Sequence, residues 1–361
     1  FINIMKKTFV LLIISVLFLS ACTFQIGTGI SNDSGFYSSS DKGEQWVQKT
    51  EFMNIGEGRS FFSNSKPVFL KVDPQDPKTL YIGSLSKGIF YSFDKGTSWQ
   101  RTLSGKGVVH DLAVDPKDKC TVYAAVGNKV YKTEDCLRSW KNIHIEGLPE
   151  QSIKAIAVDG YNNNKVYIGT SGGGLFKSLD YGMSWESIEW FKSTINKIMI
   201  NPQNTAKVYV ATSKRGIHKS NNEGIDWINI SDNITYKNSR GKEEVYEGAY
   251  NYLDLEFSPL ADDALLYANP YGLFSTTDSG QNWEHIKLLT KPGSVTIRSL
   301  ASNPNNGKEI YYMTSTTLYK SIDGGREWTT KKPPSSKTPV DFVVDSENAN
   351  NLFIIAREVK N

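Results

Sequence analysis

Three acidic residues at matching points of the sequence are the first candidates for chemistry. Asp111, Asp254 and Asp341 occupy the same position in three short apolar segments that read as β-strands. Two carboxyl groups at a suitable separation are the minimal equipment for cleaving a glycosidic bond. The residues at or beside that position in three other segments are basic: Lys154, Lys197 and Arg298. The alternative is a polar ring in which each carboxylate binds a backbone N–H or a basic partner, and the pattern favours this ring.

Other catalytic sets are weaker. Gly169 to Gly173 spells Gly-x-Ser-x-Gly, but it lies in a predicted strand-to-strand hairpin, whereas a nucleophile elbow needs a strand-to-helix turn. The four histidines fall at unrelated positions without metal-ligand spacing. We therefore expect no cofactor, no metal site and no catalytic residue set.

The elements that position these residues come from a repeat. Seven copies of Ser/Thr-x-Asp-x-Gly-x-x-Trp recur every 41 to 56 residues, and such a period indicates units that bury their faces against neighbours. The acidic or amide residue and the tryptophan of each box are Asp41 and Trp46, Asp94 and Trp99, Asp135 and Trp140, Asp180 and Trp185, Asn222 and Trp227, Asp278 and Trp283, and Asp323 and Trp328.

Each repeat reads as four strands. Between Gly107 and Trp140 the predicted strands are Val108 to Val114, Thr121 to Val126, Lys129 to Thr133 and a fourth that starts at the tryptophan. The chain opens with half a repeat and ends with the complementary half, Val340 to Ala356. The sequence therefore predicts an all-β, seven-bladed β-propeller closed by pairing C-terminal strands with N-terminal strands, which removes exposed sheet edges.

The box is best explained as a turn between the third and fourth strands. Its aspartate accepts backbone N–H bonds, its glycine supplies a positive φ, and its tryptophan buries a large ring. Two copies depart from the spelling, because Leu137 replaces the glycine and Asn222 replaces the aspartate. We expect Leu137 to make its turn the least ideal of the seven.

The boxes, from SSDKGEQW to SIDGGREW, resemble the Asp-box repeat of bacterial neuraminidases. Seven such units look most like sortilin-type propellers and photosystem II assembly-factor-like propellers. The resemblance implies the fold strongly and the activity weakly. It leads us to expect a non-enzymatic scaffold that holds a protein or membrane complex. The alternative is a carbohydrate-active propeller, a hydrolase or a glycan binder, that uses the channel-mouth carboxylates.

The N-terminus reads as an export segment. Lys6 and Lys7 precede an apolar run that ends in Leu-Ser-Ala-Cys, which resembles a bacterial lipobox with lipidation at Cys22. We expect a signal over 1–22, a tether over 23–34 and one propeller over 35–361, anchored to a membrane outside the cytoplasm. Beyond the signal, 39 basic residues face 38 acidic ones, so the charge does not favour a nucleic-acid partner.

Two further features carry predictions. Cys120 and Cys136 flank a hairpin, and a cross-strand disulfide is favoured over two free thiols. Long connections at Val47 to Pro67 and Asn229 to Asn251 carry aromatic and arginine side chains on the same side of the ring, and these suit either partner binding or covering of the channel and blade edges. The candidates in these loops are Arg59, Phe61, Phe62, Arg240, Tyr246 and Tyr250.

Overall fold

The structure is a computed structural model that describes residues 34–49, 51–54, 58–61, 65–143 and 151–359. The predictions that concern 1–33, including Cys22, and the one for Phe62 lie outside these residues. Within them the chain forms seven four-stranded antiparallel sheets and two short hairpins.

The strands in chain order are β1 Gly35–Ser39, β2 Val47–Gln48, β3 Glu51–Asn54, β4 Gly58–Phe61, β5 Pro67–Val72, β6 Leu80–Ser84, β7 Ile89–Ser92, β8 Gln100–Thr102, β9 Val109–Asp115, β10 Asp118–Val126, β11 Lys129–Thr133, β12 Lys141–Ile143, β13 Ile153–Val158, β14 Val166–Thr170, β15 Gly174–Ser178, β16 Glu186–Trp190, β17 Ile195–Ile200, β18 Val208–Thr212, β19 Gly216–Ser220, β20 Ile228–Asn229, β21 Thr235–Lys237, β22 Glu243–Val245, β23 Asp254–Phe257, β24 Leu265–Ala268, β25 Leu273–Thr276, β26 Glu284–Ile286, β27 Ser299–Asn303, β28 Asn306–Met313, β29 Leu318–Ser321, β30 Thr329–Lys331, β31 Thr338–Val344 and β32 Leu352–Arg357. A 3-10 helix covers Ile230–Asn233.

The sheets are the blades of a propeller. Blades 1 to 6 are β5 to β8, β9 to β12, β13 to β16, β17 to β20, β23 to β26 and β27 to β30, and blade 7 joins β31, β32, β1 and β2. The first strands of neighbouring blades contact one another around the centre, as in β9 with β13 and β31 with β5. The second strands β6, β14 and β18 are buried throughout, because neighbouring blades cover both of their faces. The prediction of a seven-bladed, all-β propeller is confirmed.

Blade 7 closes the ring with strands from both halves of the sequence. β1 pairs antiparallel with β32, so that Gly35 lies opposite Ala356 and Ser38 opposite Phe353. This is the pairing that the two half repeats predict. The neighbouring blades add ion pairs across the junctions, from Lys95 of blade 1 to Asp345 of blade 7 at 2.6 Å.

Antiparallel connectivity divides the turns between two faces of the disc. The turns between second and third strands and the connections from one blade to the next lie on one face, which we call the entry face. The turns between first and second strands and the boxes lie on the other, which we call the box face. Both long connections therefore belong to the entry face, and each contains a hairpin, β3 with β4 and β21 with β22.

The box of blade 1 shows how the repeated turn is built. The Ser92 hydroxyl donates to Asp94 Oδ1 at 2.8 Å, the same carboxylate oxygen accepts from the Ser98 N–H, and the Gly96 N–H donates to Ser92 Oγ. Trp99 Nε1 donates to the Gly96 carbonyl at 3.0 Å. The hydroxyl-to-acid bond recurs in all seven boxes, with the Asn222 side-chain oxygen as the acceptor in blade 4.

The box of blade 2 is the irregular copy. Leu137 adopts a φ of 71° where the other boxes place glycine, and the preceding Cys136 has a φ of 55°. A disulfide joins Cys136 to Cys120, whose Cα atoms are 3.9 Å apart. The Leu137 side chain is buried in the cluster that includes Val122 and Tyr131.

Restoring the glycine at this position is expected to destabilise the protein. Leu137→Gly removes left-handed backbone strain of about 1–2 kcal/mol, but it also removes a buried leucine, a loss that typically costs about 2–5 kcal/mol. We expect a net loss of about 1–3 kcal/mol in urea denaturation. Leu137→Ala is the control, because it loses the burial, keeps the strain and should rank below the glycine variant. A glycine variant more stable than the natural chain would contradict this balance.

Candidate functional site

A central cavity of about 490 Å³ is lined by residues from or beside the first strands of all seven blades. A second cavity of about 680 Å³ is lined by turns of the box face, including those around Pro202, Pro259 and Pro304. Glu256, Phe342 and Val343 line both cavities. Both volumes fall within the range of roughly 300–1,000 Å³ that is usual for ligand pockets.

Asp111, Asp254 and Asp341, the three aspartates singled out in the sequence, line the central cavity and make the same pattern of hydrogen bonds. In each, Oδ1 accepts the N–H of the following residue at 2.8–2.9 Å. In each, Oδ2 accepts a backbone N–H of the next blade, from Ile156 to Asp111, from Leu300 to Asp254 and from Leu70 to Asp341, at 2.8–3.0 Å. The carboxylates therefore fasten neighbouring blades together, which is the polar-ring alternative of the sequence analysis.

The basic residues take different places. Lys197 lies 2.6 Å from Glu256 Oε1 and 3.4 Å from Asp254 Oδ1, whereas Lys154 contacts the ring nitrogens of His110 at 3.2 and 3.4 Å. Arg298 is exposed at the rim and donates from Nε to Ser315 Oγ. Asp111 pairs instead with Lys71 at 2.5 Å. Burial, together with the positive charge of Lys154, lowers the pKa of His110 to about 4.

Glu256 is the carboxyl group that sequence reasoning missed. It stands two residues after Asp254 on β23, and side chains at that interval point to the same face of a strand. No backbone N–H of the described residues donates to its carboxylate. Period-two alternation from Asp254 was the available signal.

The surroundings of Glu256 shift the pKa values of several groups in the central cavity. Burial raises its pKa to about 7, with the charges of Asp254 and Asp341 adding to the effect and Lys197 opposing it. Burial also raises the pKa of Asp341 to about 6. For Lys197, burial acts to lower the pKa, but the carboxylates of Glu256 and Asp254 outweigh it and raise that pKa well above its usual value.

The carboxyl groups of Glu256 and Asp254 lie close together in the central cavity. Because Lys197 Nζ contacts both at 2.6 and 3.4 Å, Glu256 Oε1 and Asp254 Oδ1 are at most about 6 Å apart. Carboxyl groups of glycosidases that retain configuration are separated by about 5–5.5 Å, and those of inverting enzymes by about 6.5–9.5 Å. The pair is compatible with the shorter of these arrangements.

The predicted loop residues lie elsewhere on the entry face. Tyr246 packs on Tyr271 and Phe274 at ring-centroid distances of 4.6 and 5.1 Å, so it covers the side of blade 5. The Tyr250 hydroxyl donates to Asp232 at 2.9 Å. Arg240 is exposed in the turn between β21 and β22. Arg59 and Phe61 belong to β4, whose side chains lie outside the described part of the structure.

The box aspartates are turn residues on the opposite face. In blade 2, the Ser139 hydroxyl and then the Ser139 N–H lower the pKa of Asp135 to about 2. In blade 4, Asn222 donates from Nδ2 to Asp226 at 2.8 Å, so the carboxylate there lies four residues later. The hydrogen bonds within the turn therefore explain why an aspartate or asparagine stands at this position of each of these two boxes.

Two features are absent from the residues that the structure describes. No group of three or more His, Cys, Asp or Glu side chains there is arranged to hold a metal ion. No helix in those ranges has the length and apolarity of a membrane span.

Comparison with known proteins identifies similar propellers. No protein-family model matches the sequence. A probable oligoxyloglucan-reducing end-specific xyloglucanase of Neosartorya fischeri is 27% identical over 192 residues, which cover 48% of this chain and 22% of that protein. The chain thus spans less than a quarter of this curated relative.

Solved structures extend the likeness at the level of the fold. The GH74 enzyme of Niastella koreensis has a TM-score of 0.66 at 16% identity, covering 86% of this chain and 53% of its own. The GH74 xyloglucanase of Xanthomonas campestris has a TM-score of 0.61 at 16% identity, and the match covers 81% of this chain and 51% of that enzyme. The structure of YCF48 bound to D1 peptide has a TM-score of 0.60 at 14% identity, and the match covers 82% of this chain and 94% of the YCF48 chain.

These findings correct one expectation. The sequence analysis predicted that the chain is not an enzyme, and this was wrong as judged by the curated relative, which is named as a probable xyloglucanase. The misjudgement arose because the box repeat by itself carries no information on chemistry.

Proposed function

We propose that this propeller is a carbohydrate-active enzyme that cleaves glycosidic bonds in a β-glucan of the xyloglucan type. The observation that carries the proposal is the pair of carboxyl groups, Glu256 and Asp254, held on either side of Lys197 in the central cavity. The relative named as a xyloglucanase supports the substrate class.

The two carboxyl groups take different roles. Glu256, with a pKa of about 7, donates a proton to the glycosidic oxygen as the bond to the anomeric carbon breaks. Asp254 is the fixed carboxylate that faces the positive charge developing on the sugar ring, since it accepts backbone N–H bonds on both oxygens. Water then attacks the anomeric carbon, supplies the hydroxyl group of the new reducing end and returns its other proton to the Glu256 carboxylate.

A screen on polysaccharides tests the proposal. The purified chain is incubated with xyloglucan, mixed-linkage β-glucan, xylan and mannan, and new reducing ends are measured together with binding in affinity gels. Release of oligosaccharides from a β-glucan is the expected result. Failure to bind or cleave any of the four polymers would refute the assignment.

The rate should depend on pH through Glu256. A general acid works in its protonated form, so the rate should hold below about pH 7 and fall about tenfold for each further unit. The measurement is a kcat/KM profile from pH 5 to 9 on the cleaved polymer. A rate that keeps rising through pH 8 would exclude Glu256 as the proton donor.

Binding of a protein partner is the second candidate. The specific observation is coverage, since the match extends over 94% of the YCF48 chain solved with a D1 peptide but about half of each GH74 chain. The partner would meet the protein at a membrane if Cys22 carries the expected lipid anchor. Capture of a defined membrane complex by the anchored protein, lost on removal of β21 and β22, would support this candidate.

A further inference from the structure

A basic pocket lies on the entry face between blades 3 and 4. Its lining consists of three cations and four hydroxyl side chains, with no carboxylate: Lys192, Lys214, Arg215, Ser171, Ser193, Thr194 and Ser213. The three cations are exposed. Among the residues that the structure describes, none of the three forms an ion pair with an acidic side chain. The pocket therefore presents positive charge without a neutralising partner.

Three connections of the two blades build the pocket. Ser171 follows β14, Lys192 to Thr194 connect β16 to β17, and Ser213 to Arg215 join β18 to β19. The connections are tied together, because the Lys214 N–H donates to Ser193 Oγ at 3.1 Å and the Thr194 hydroxyl donates to the Ser171 carbonyl at 2.7 Å. The lining is thus fixed before any ligand arrives.

The hydroxyl groups keep donors for a ligand. Ser193 Oγ accepts from the Lys214 N–H, and Ser213 Oγ accepts from Asn196 Nδ2 at 2.8 Å. A hydroxyl that accepts a bond still has its own proton to donate. Lysine attracts an anion as a point charge, whereas arginine offers a planar fork that matches a carboxylate. Cations interleaved with hydroxyl donors suit an acidic group carried on a polyol.

The pocket adjoins the central cavity. Asn196 lines that cavity and also bonds Ser213 of the pocket. A sugar chain leaving the cavity on the entry face can therefore continue over blades 3 and 4 into the basic lining.

We propose that this pocket binds a carboxylated sugar, a uronate unit of an oligosaccharide whose neighbouring units occupy the central cavity. The inference rests on the proposed function and extends its substrate class from neutral β-glucans to β-glucans whose chains also carry acidic sugar units.

Isothermal titration calorimetry with sugars of equal length tests this assignment. Trigalacturonate is the acidic probe and cellotriose the neutral one, with triglutamate as a non-sugar anion. Lys214→Ala/Arg215→Ala is expected to weaken trigalacturonate binding about tenfold or more and to leave cellotriose binding unchanged. The backbone bonds of both residues are retained in this variant, so the pocket keeps its shape.

A matched variant controls for net charge. Lys78→Ala/Lys308→Ala also removes two exposed cations, but Lys78 lies in the turn between β5 and β6 and Lys308 near the start of β28, on the box face. This variant should bind trigalacturonate as the natural chain does. Equal weakening in both double variants, or equal binding of triglutamate and trigalacturonate, would overturn the proposal. Cleavage of a neutral glucan alongside either result would leave the proposed function standing, whereas absence of all sugar binding and cleavage would remove both.

Discussion

Glu256→Gln is expected to lower the rate of polysaccharide cleavage by about 10²- to 10⁴-fold, the usual contribution of a general acid. Glutamine keeps the volume of the side chain and has no proton to give at neutral pH. Substrate binding should change little, because the loss falls on the transition state. The measurement is kcat and KM on the polymer that the natural chain cleaves best.

Two controls separate a chemical effect from a structural one. Glu284→Gln makes the same substitution on an exposed outer strand, β26, and should leave the rate unchanged. Thermal unfolding of Glu256→Gln should follow the natural chain closely, because the glutamine oxygen still accepts from Lys197. An inactive variant with a strongly lowered unfolding temperature would show that Glu256 acts on the fold. A fully active variant would show that the proton comes from elsewhere.

Phe36→Ala is expected to cost about 3–5 kcal/mol of stability, in the range seen when a buried phenylalanine is deleted. Phe36 is completely buried on β1 at the closure of the ring. Its ring centroid lies 5.0 Å from that of Trp99 in blade 1 and 5.8 Å from that of Phe353 in blade 7. The deletion therefore opens a cavity at the junction where the two halves of the sequence meet.

Chemical denaturation monitored by tryptophan fluorescence measures this effect. Phe93→Ala is the matched control, because Phe93 directly follows β7, is 53% exposed and makes its ring contact with Tyr91 of that strand. The control should cost less than about 1 kcal/mol, as exposed substitutions usually do. A loss of less than about 1 kcal/mol in Phe36→Ala as well would mean that closure at β1 contributes little to stability.

The frame was predictable because it is periodic. Seven boxes set the number of blades, and the half repeats at Gly35 and at Val340 to Ala356 set how the ring closes. Each of these features is local in sequence or is repeated, so one chain contains several copies of the same evidence. The turn residues were likewise readable, since a carboxylate two residues after a serine has few other uses at a glycine turn.

The site was less predictable for a geometric reason. Whether Asp254 is free or bound to the Leu300 N–H depends on the stagger between two blades, which no single segment encodes. Glu256 was overlooked because most first strands have an apolar residue at its position, as with Ala157 and Val343. The basic pocket draws on three connections of two blades, so its cations become neighbours only in the folded ring.

The composite seventh blade imposes an order on folding. β1 has no neighbour on one side until β32 is available, and these strands are separated by almost the whole chain. During synthesis or translocation, β1 therefore keeps one edge unpaired while the early blades form. The pairing of β1 with β32 closes the longest loop of the chain, so its entropic cost is met last. The ring of blades closes only when β32 becomes available to pair with β1. A chain arrested before β32 should therefore be prone to aggregation and sensitive to proteases, because the edge of β1 stays exposed.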